Sequence, residues 1–288
     1  MNPLNPLLVF SYTAAILVDL GAPLILAVWL SRRYQSRWRY WFYGVLVFLI
    51  FQGLTRVPAM LYFQTRPTVR EQLKEPAAFW PFLLFAAFTA GLFEEGGRWL
   101  AFRFVIPPDE RRRRTALMLG AGHGGLESIA IGLVAASALA GYVAMTLLPP
   151  ETFAGYAKQV EEAKQQFGDL QGWEPLLGGW ERLGALAIQV ALTLMVLYAF
   201  SRGRRWWWYA VGAHTLVDFT TVAFLRLGAK PWGQRPAMLA TEGLVAVYAL
   251  LALWFIRTTK NQESEPADEY RVAVGSAPAN LARPPQPP

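Results

Sequence analysis

The sequence predicts an all-α fold, a polytopic membrane bundle of about seven transmembrane helices. Three observations lead there. Hydrophobic residues make up 54% of the chain and aromatic residues 14%, a composition typical of proteins embedded in lipid. Apolar runs of about twenty residues or more recur seven times, each enough to cross a hydrocarbon core of about 30 Å. The basic residues fall in short clusters between those runs, as in loops held at the cytoplasmic face. A net charge of +7 is therefore read as a topology signal, and no nucleic-acid partner is expected. Cysteine is absent, which excludes disulfides, zinc thiolates and a cysteine nucleophile.

The first run, residues 7–30, contains Asp19 and lacks a small-residue cleavage site, so it reads as a retained span rather than a signal peptide. The second covers residues 41–62, the third 79–105, and the fourth begins near Thr115. The fourth stays apolar to Leu148, about 50 Å if helical at 1.5 Å per residue. It is then strongly tilted, protruding, or broken near Gly141. Pro149-Pro150 ends it. Residues 151–182 are polar and partly amphipathic, which reads as an external helical loop near the membrane surface. Spans five, six and seven cover residues 183–200, 206–225 and 239–256. Residues 1–257 are read as one helix-bundle domain. The tail over 258–288, polar and acidic and then rich in Pro and Ala, reads as disordered.

Arg32, Arg33, Arg37 and Arg39 follow span one, Arg111–Arg114 follow span three, Arg202, Arg204 and Arg205 follow span five, and Arg257 and Lys260 follow span seven. That alternation favours an external amino terminus and a cytoplasmic carboxyl terminus. The expected location is the plasma membrane, the inner membrane of a bacterium. Trp80 and Trp206–Trp208 read as interface anchors. The Arg111–Arg114 run also reads as a contact for anionic lipid. Asp19 and Arg56, in spans one and two, read as a structural pair.

Span three carries Glu94-Glu95-Gly96-Gly97-Arg98. Ionisable groups at that depth are costly and mark a functional site. Arg98 stands four residues after Glu94 and three after Glu95, so it can neutralise one of them but not both. Span four carries His123 with Glu127 one turn on, and span six His214 with Asp218 one turn on. These are the chain's two histidines. Measured from the cytoplasmic ends of their spans, His123 and His214 lie about 12 Å deep, Glu94 and Glu95 about 16 Å, and Glu127 and Asp218 about 18 Å. The three clusters can thus meet in one layer. Gly96, Gly97, Gly120, Gly122, Gly124, Gly125 and Gly212 crowd it, and small residues let helices approach closely in lipid.

Carboxylates and imidazoles together suit hydrolysis. A carboxylate can act as general base on water. Histidines can bind a developing oxyanion or hold a metal that acidifies the water, and a neighbouring carboxylate can orient the ring. Any metal site, with His123, His214, Glu94 and Glu127 as ligands, would have to be assembled across helices, because the string His-Glu-x-x-His is absent.

At these residues the chain resembles the YhfC-like intramembrane metalloproteases, within the wider superfamily of CAAX prenyl proteases, bacteriocin-processing enzymes and PrsW-like proteases. The shared pattern is a glutamate pair followed by a basic residue, a histidine helix, and His-x-x-x-Asn/Asp. Here these are Glu94-Glu95-Gly96-Gly97-Arg98, His123 and His214-x-x-x-Asp218, with His123-Gly124-Gly125-x-Glu127-Ser128 resembling the YhfC-like branch. The likeness covers residues 79–225 and implies a four-helix core like that of CAAX proteases. Two residues, not three, separate the glutamates from Arg98, which is closer to the PrsW-like pattern. Leu119 replaces a usual phenylalanine, and Asp218 an asparagine. These departures weigh against prenylated substrates.

The resemblance implies an intramembrane endopeptidase acting on a membrane-associated peptide or protein. In it Glu94 activates water, Glu95 pairs with Arg98, His123 and His214 bind the oxyanion or a metal, and Asp218 orients or ligates. Zinc is the metal usually assigned, and the same side chains also fit a metal-independent route. A proton-coupled transporter is the competing reading, disfavoured by the lack of an internal repeat. A non-catalytic scaffold is the third, disfavoured because every catalytic position of the pattern is present.

Overall fold

The structure is a computed structural model that describes residues 4–259. The expected disordered tail lies outside the described residues, except that Thr258 and Thr259 close the last helix. All regular structure among the described residues is helical. Seven long helices cross the bundle: α1 (Pro6–Tyr34), α2 (Trp38–Gln64), α3 (Pro76–Val105), α4 (Arg113–Leu147), α5 (Pro175–Ser201), α6 (Arg205–Trp232) and α7 (Gln234–Thr259). All but α6 are long and apolar enough to span a membrane. The 28-residue α6 is as long, but its tryptophans, His214 and Asp218 make it more polar. It packs against α3, α5 and α7, so its polar groups turn toward the bundle rather than toward lipid.

The helix ends follow from local chemistry. The Asn5 side chain accepts from the backbone N–H groups of Leu7 and Leu8 at 3.1 and 3.2 Å, and Pro6 opens α1 where no N–H partner is needed. The helix stops at Gln35, which takes a left-handed conformation with φ 52°. Near the middle of α2 the coil loosens into a π turn over Leu49–Arg56, just before Pro58. A proline cannot donate to the carbonyl four residues back, so the ladder slips there. The slip turns Gln52 and Arg56 toward α3. A second π turn, Ala101–Val105, ends α3 ahead of Pro107-Pro108.

Helix α4 is one continuous 35-residue element, which resolves the choice left by the sequence: there is no break at Gly141. The polar stretch after it is shorter than its composition implied. It comprises a 3₁₀ turn at Pro150–Tyr156 and the amphipathic helix Ala157–Asp169, and α5 has already begun at Pro175. Glu181 and Arg182 therefore belong to a long helix, not to an external loop. Their charges made that segment read as loop, but Arg182 pairs with Glu181 and, across to α4, with Glu127.

Glycines hold α2 against α4. A Cβ on Gly122 would stand 2.0 Å from the Trp41 backbone oxygen, and one on Gly44 would stand 2.0 Å from that of Leu119. Gly120 and Gly124 take the same role against α5, facing Val190 and Gln189. Two glycines of the expected layer, Gly96 and Gly212, face open space instead. Replacing Gly122 by Ala should therefore lower the unfolding free energy in detergent by about 1–3 kcal/mol, because backbone cannot move aside as a side chain can. Gly141, with nothing within 4 Å of its would-be Cβ, should accept Ala without loss. Thermal unfolding of the two variants side by side measures the contrast.

Candidate functional site

The buried charges of α3 form the centre. Glu95, Arg98 and His123 are 0% exposed, Glu94 4% and His214 5%, so no solvent screens them. Arg98 pairs through Nη1 with Glu95 and through Nη2 with Glu94 at 3.3 Å. It touches both carboxylates, more than the sequence reading allowed, yet one positive charge still faces two negative ones. The remaining demand is met from four other helices. From α4, His123 Nε2 lies 2.8 Å from Glu94 Oε2. From α6, His214 Nδ1 lies 2.7 Å from Glu95 Oε1. From α2, Gln52 donates to Glu94. From α5, Gln189 donates to Glu94 Oε2 at 3.3 Å while its carbonyl oxygen accepts from Arg98.

The helices bring together Glu94, Glu95, Arg98, His123 and His214, five of the seven residues singled out in the sequence, in one hydrogen-bonded cluster. Asp218 lies at its edge, with Oδ2 3.7 Å from His214 Nε2. Glu127 does not join His123 as the one-turn spacing implied. It accepts from Arg182 at 2.9 Å and from Gln189 at 2.8 Å. His123 Nδ1 has no hydrogen-bond partner among the described residues. Glu127 is drawn away because Arg182, read as a loop residue, descends along α5 to meet it.

Three residues at the centre escaped the sequence reading. Gln52 and Gln189 are single uncharged polar residues inside long apolar runs. Their position inside hydrocarbon was the available signal, since a buried amide needs partners. Trp207, read as an interface anchor, donates through Nε1 to the Glu95 backbone oxygen at 3.1 Å. The expected Asp19–Arg56 pair does not form. Arg56 bonds Thr89, Gln52 and the Ala86 carbonyl, while Asp19 packs on Gly132 of α4 and its backbone oxygen accepts from Ser128. The π turn that points Arg56 at α3 takes it out of reach of α1.

A cavity of about 300 Å³ opens beside the cluster. His214, Asp218, Glu127, Gln189, Arg56 and Arg182 supply its polar wall, and apolar residues such as Leu83 and Val245 the rest. Glu94 is not one of its lining residues, but His214 Nε2 is 3.8 Å from Glu94 Oε1.

With this geometry in hand, comparison with known proteins is specific. The family model described as YhfC intramembrane metalloprotease matches residues 15–233. The chain belongs to that family. It is also 32% identical over 247 residues to the Uncharacterized membrane protein YhfC of Bacillus subtilis (strain 168), covering 83% of this chain and 91% of the relative. No solved structure matches. The match to YhfC proteins spans all of the clustered residues.

The YhfC family description includes a metal, so the donor set can be tested for one. The four expected ligands do not close around a common point. Glu94 is already occupied by Gln52, His123, Arg98 and Gln189, Glu127 is held by Arg182, and a guanidinium stands within 3.3 Å of the central carboxylate. Among the described residues no group of three or more His, Cys, Asp or Glu is arranged to hold an ion. Three of the expected ligands do lie together, with His123 Nε2 2.8 Å and His214 Nε2 3.8 Å from Glu94, which is consistent with the metal in the family description.

Arg98 is the residue on which this cluster depends. Its replacement by Met leaves two buried carboxylates without a cation and should cost about 3–5 kcal/mol of stability. Glu95→Gln, which keeps the shape and removes one charge, should cost less. Thermal unfolding in detergent distinguishes the two, and an Arg98→Met protein as stable as wild type would contradict the assignment.

Proposed function

We propose that the protein is an intramembrane endopeptidase that hydrolyses a peptide bond of a membrane-associated peptide or protein, with water activated by Glu94. The carrying observation is the setting of His214 on the cavity wall. Its Nδ1 is fixed on Glu95, while its Nε2 faces the cavity 3.8 Å from Glu94 Oε1 and 3.7 Å from Asp218 Oδ2. Gaps of that length between polar atoms suit a bridging water.

In this reading the substrate carbonyl enters the cavity beside His214. Glu94 takes a proton from the water, and the resulting hydroxide attacks the carbonyl carbon. The imidazolium form of His214 donates from Nε2 to the developing oxyanion, held on line by its bond to Glu95. When the C–N bond breaks, the proton on Glu94 passes to the leaving nitrogen, and the new carboxylic acid then gives its own proton to the freed amine, so the products depart as a carboxylate and an ammonium. His123, Gln52 and Gln189 orient Glu94, and Arg98 opposes the charge of both glutamates. Asp218 lies where it can orient the water or His214. No step in this route is assigned to a metal, although the family is named for one.

The end of the bundle nearest the site carries Arg111–Arg114, Arg202, Arg204 and Arg205. The positive-inside rule makes that end cytoplasmic, so the scissile bond would lie in the cytoplasmic leaflet of a cell membrane.

The full-length protein in detergent, given a library of apolar peptides, should cleave a subset of them. Glu94→Gln and His214→Ala should slow cleavage by about 10²–10⁴ while remaining folded by thermal unfolding. Cleavage equal to wild type in both variants overturns the proposal. A chelator should leave the rate unchanged. About one metal ion per chain, lost together with activity on replacing both histidines by Ala, would replace the Glu94 route with a metal-dependent one.

A further inference from the structure

A second polar region lies at the arginine-rich end, away from the glutamate cluster. Arg111, Arg112, Arg113 and Arg114, with Arg202, line a cavity of about 630 Å³, and among the described residues no acidic side chain contributes to its wall. The hydrogen bonds of three of them, Arg111, Arg112 and Arg113, run to backbone carbonyls: Arg111 to Ile106 and Arg103, Arg112 to Asp109, Arg113 to Ile256. The acid nearest in sequence, Glu110, is engaged by Arg37 and Arg39 instead. Arg113 is the telling member. It is 6% exposed, its Nε has no hydrogen-bond partner among the described residues, and its guanidinium carbon stands 5.5 Å from the centre of the Tyr34 ring. A buried guanidinium without an anion is costly.

Arg113 and Tyr34 also line a second cavity, of about 560 Å³, which is mainly apolar. This groove runs between α1, α4, α5 and α7, from Tyr34 down to Ala22 on α1. Twelve helical residues make that about 18 Å, close to the depth of one leaflet of a core about 30 Å thick. A cation-lined head space thus joins an apolar slot of leaflet depth, and the joint is the buried arginine.

We infer that this pair of cavities is a binding site for an anionic phospholipid, with its phosphate among Arg111–Arg114 and an acyl chain in the groove. Basic pockets between helices at a cytoplasmic face recognise anionic headgroups, and a guanidinium offers paired donors to phosphate oxygens. The apolar slot favours a lipid over a free phosphate ion, which would have no use for it. The site is separate from the proposed peptidase chemistry and does not depend on it.

The test uses the full-length protein, stripped of lipid and then offered phosphatidylglycerol or phosphatidylcholine in detergent, with retention read by native mass spectrometry. Phosphatidylglycerol should be retained at about one per chain and phosphatidylcholine should not. Arg112 and Arg114 are exposed, so replacing both by Gln should leave the fold intact. It should weaken retention by about fivefold for each arginine. Arg113→Gln should weaken it at least as much, and the exposed pair decides the matter if that variant does not fold. Equal retention of the two lipids, or retention unchanged in the exposed pair, overturns the inference. Displacement of phosphatidylglycerol by millimolar inorganic phosphate also overturns it and leaves only a phosphate site.

Discussion

One guanidinium facing two carboxylates inside a lipid-embedded bundle is the constraint on which the rest of this structure depends. Arg98 cannot cancel Glu94 and Glu95 alone, and hydrocarbon offers no water to make up the difference. The protein meets the deficit by converging polar groups from α2, α4, α5 and α6 on α3. Those contacts fix which face each helix turns inward. They also explain why α6 can be less apolar than its neighbours: its polar groups have partners before they meet lipid.

Two local devices make the convergence possible. The π turn in α2 directs Gln52 and Arg56 at α3, where a regular coil would carry them past it. Glycine contacts at Gly44, Gly122 and Gly124 bring α2 and α5 close enough to α4 for their short amide side chains to reach. Close approach is itself favourable in lipid, where packing and hydrogen bonds replace the hydrophobic driving force. The same layer therefore provides both cohesion and the polar site.

The bundle holds two polar regions of opposite charge. The inner one is buried, over-supplied with acid and flanked by a cavity, and each hydrogen bond to Glu94 restricts its orientation. The outer one is open and rich in arginine, with no acidic side chain among its described lining residues.

Much of this was legible in the chain itself. Seven long apolar runs, two histidines each one turn from an acid, and a glutamate pair with its arginine are local patterns. Lipid makes such patterns informative, because an ionisable group there needs a partner. By itself the sequence determined the helical bundle, the common depth of the three charged clusters, and the membership of Glu94, Glu95, Arg98, His123 and His214. Only the tertiary structure decided the partners. It gave Glu127 to Arg182 rather than His123, kept Asp19 and Arg56 apart, and recruited Gln52, Gln189 and Trp207. The reason is physical: helical spacing sets which face and depth a side chain occupies, whereas its partner depends on how neighbouring helices rotate, slip and begin.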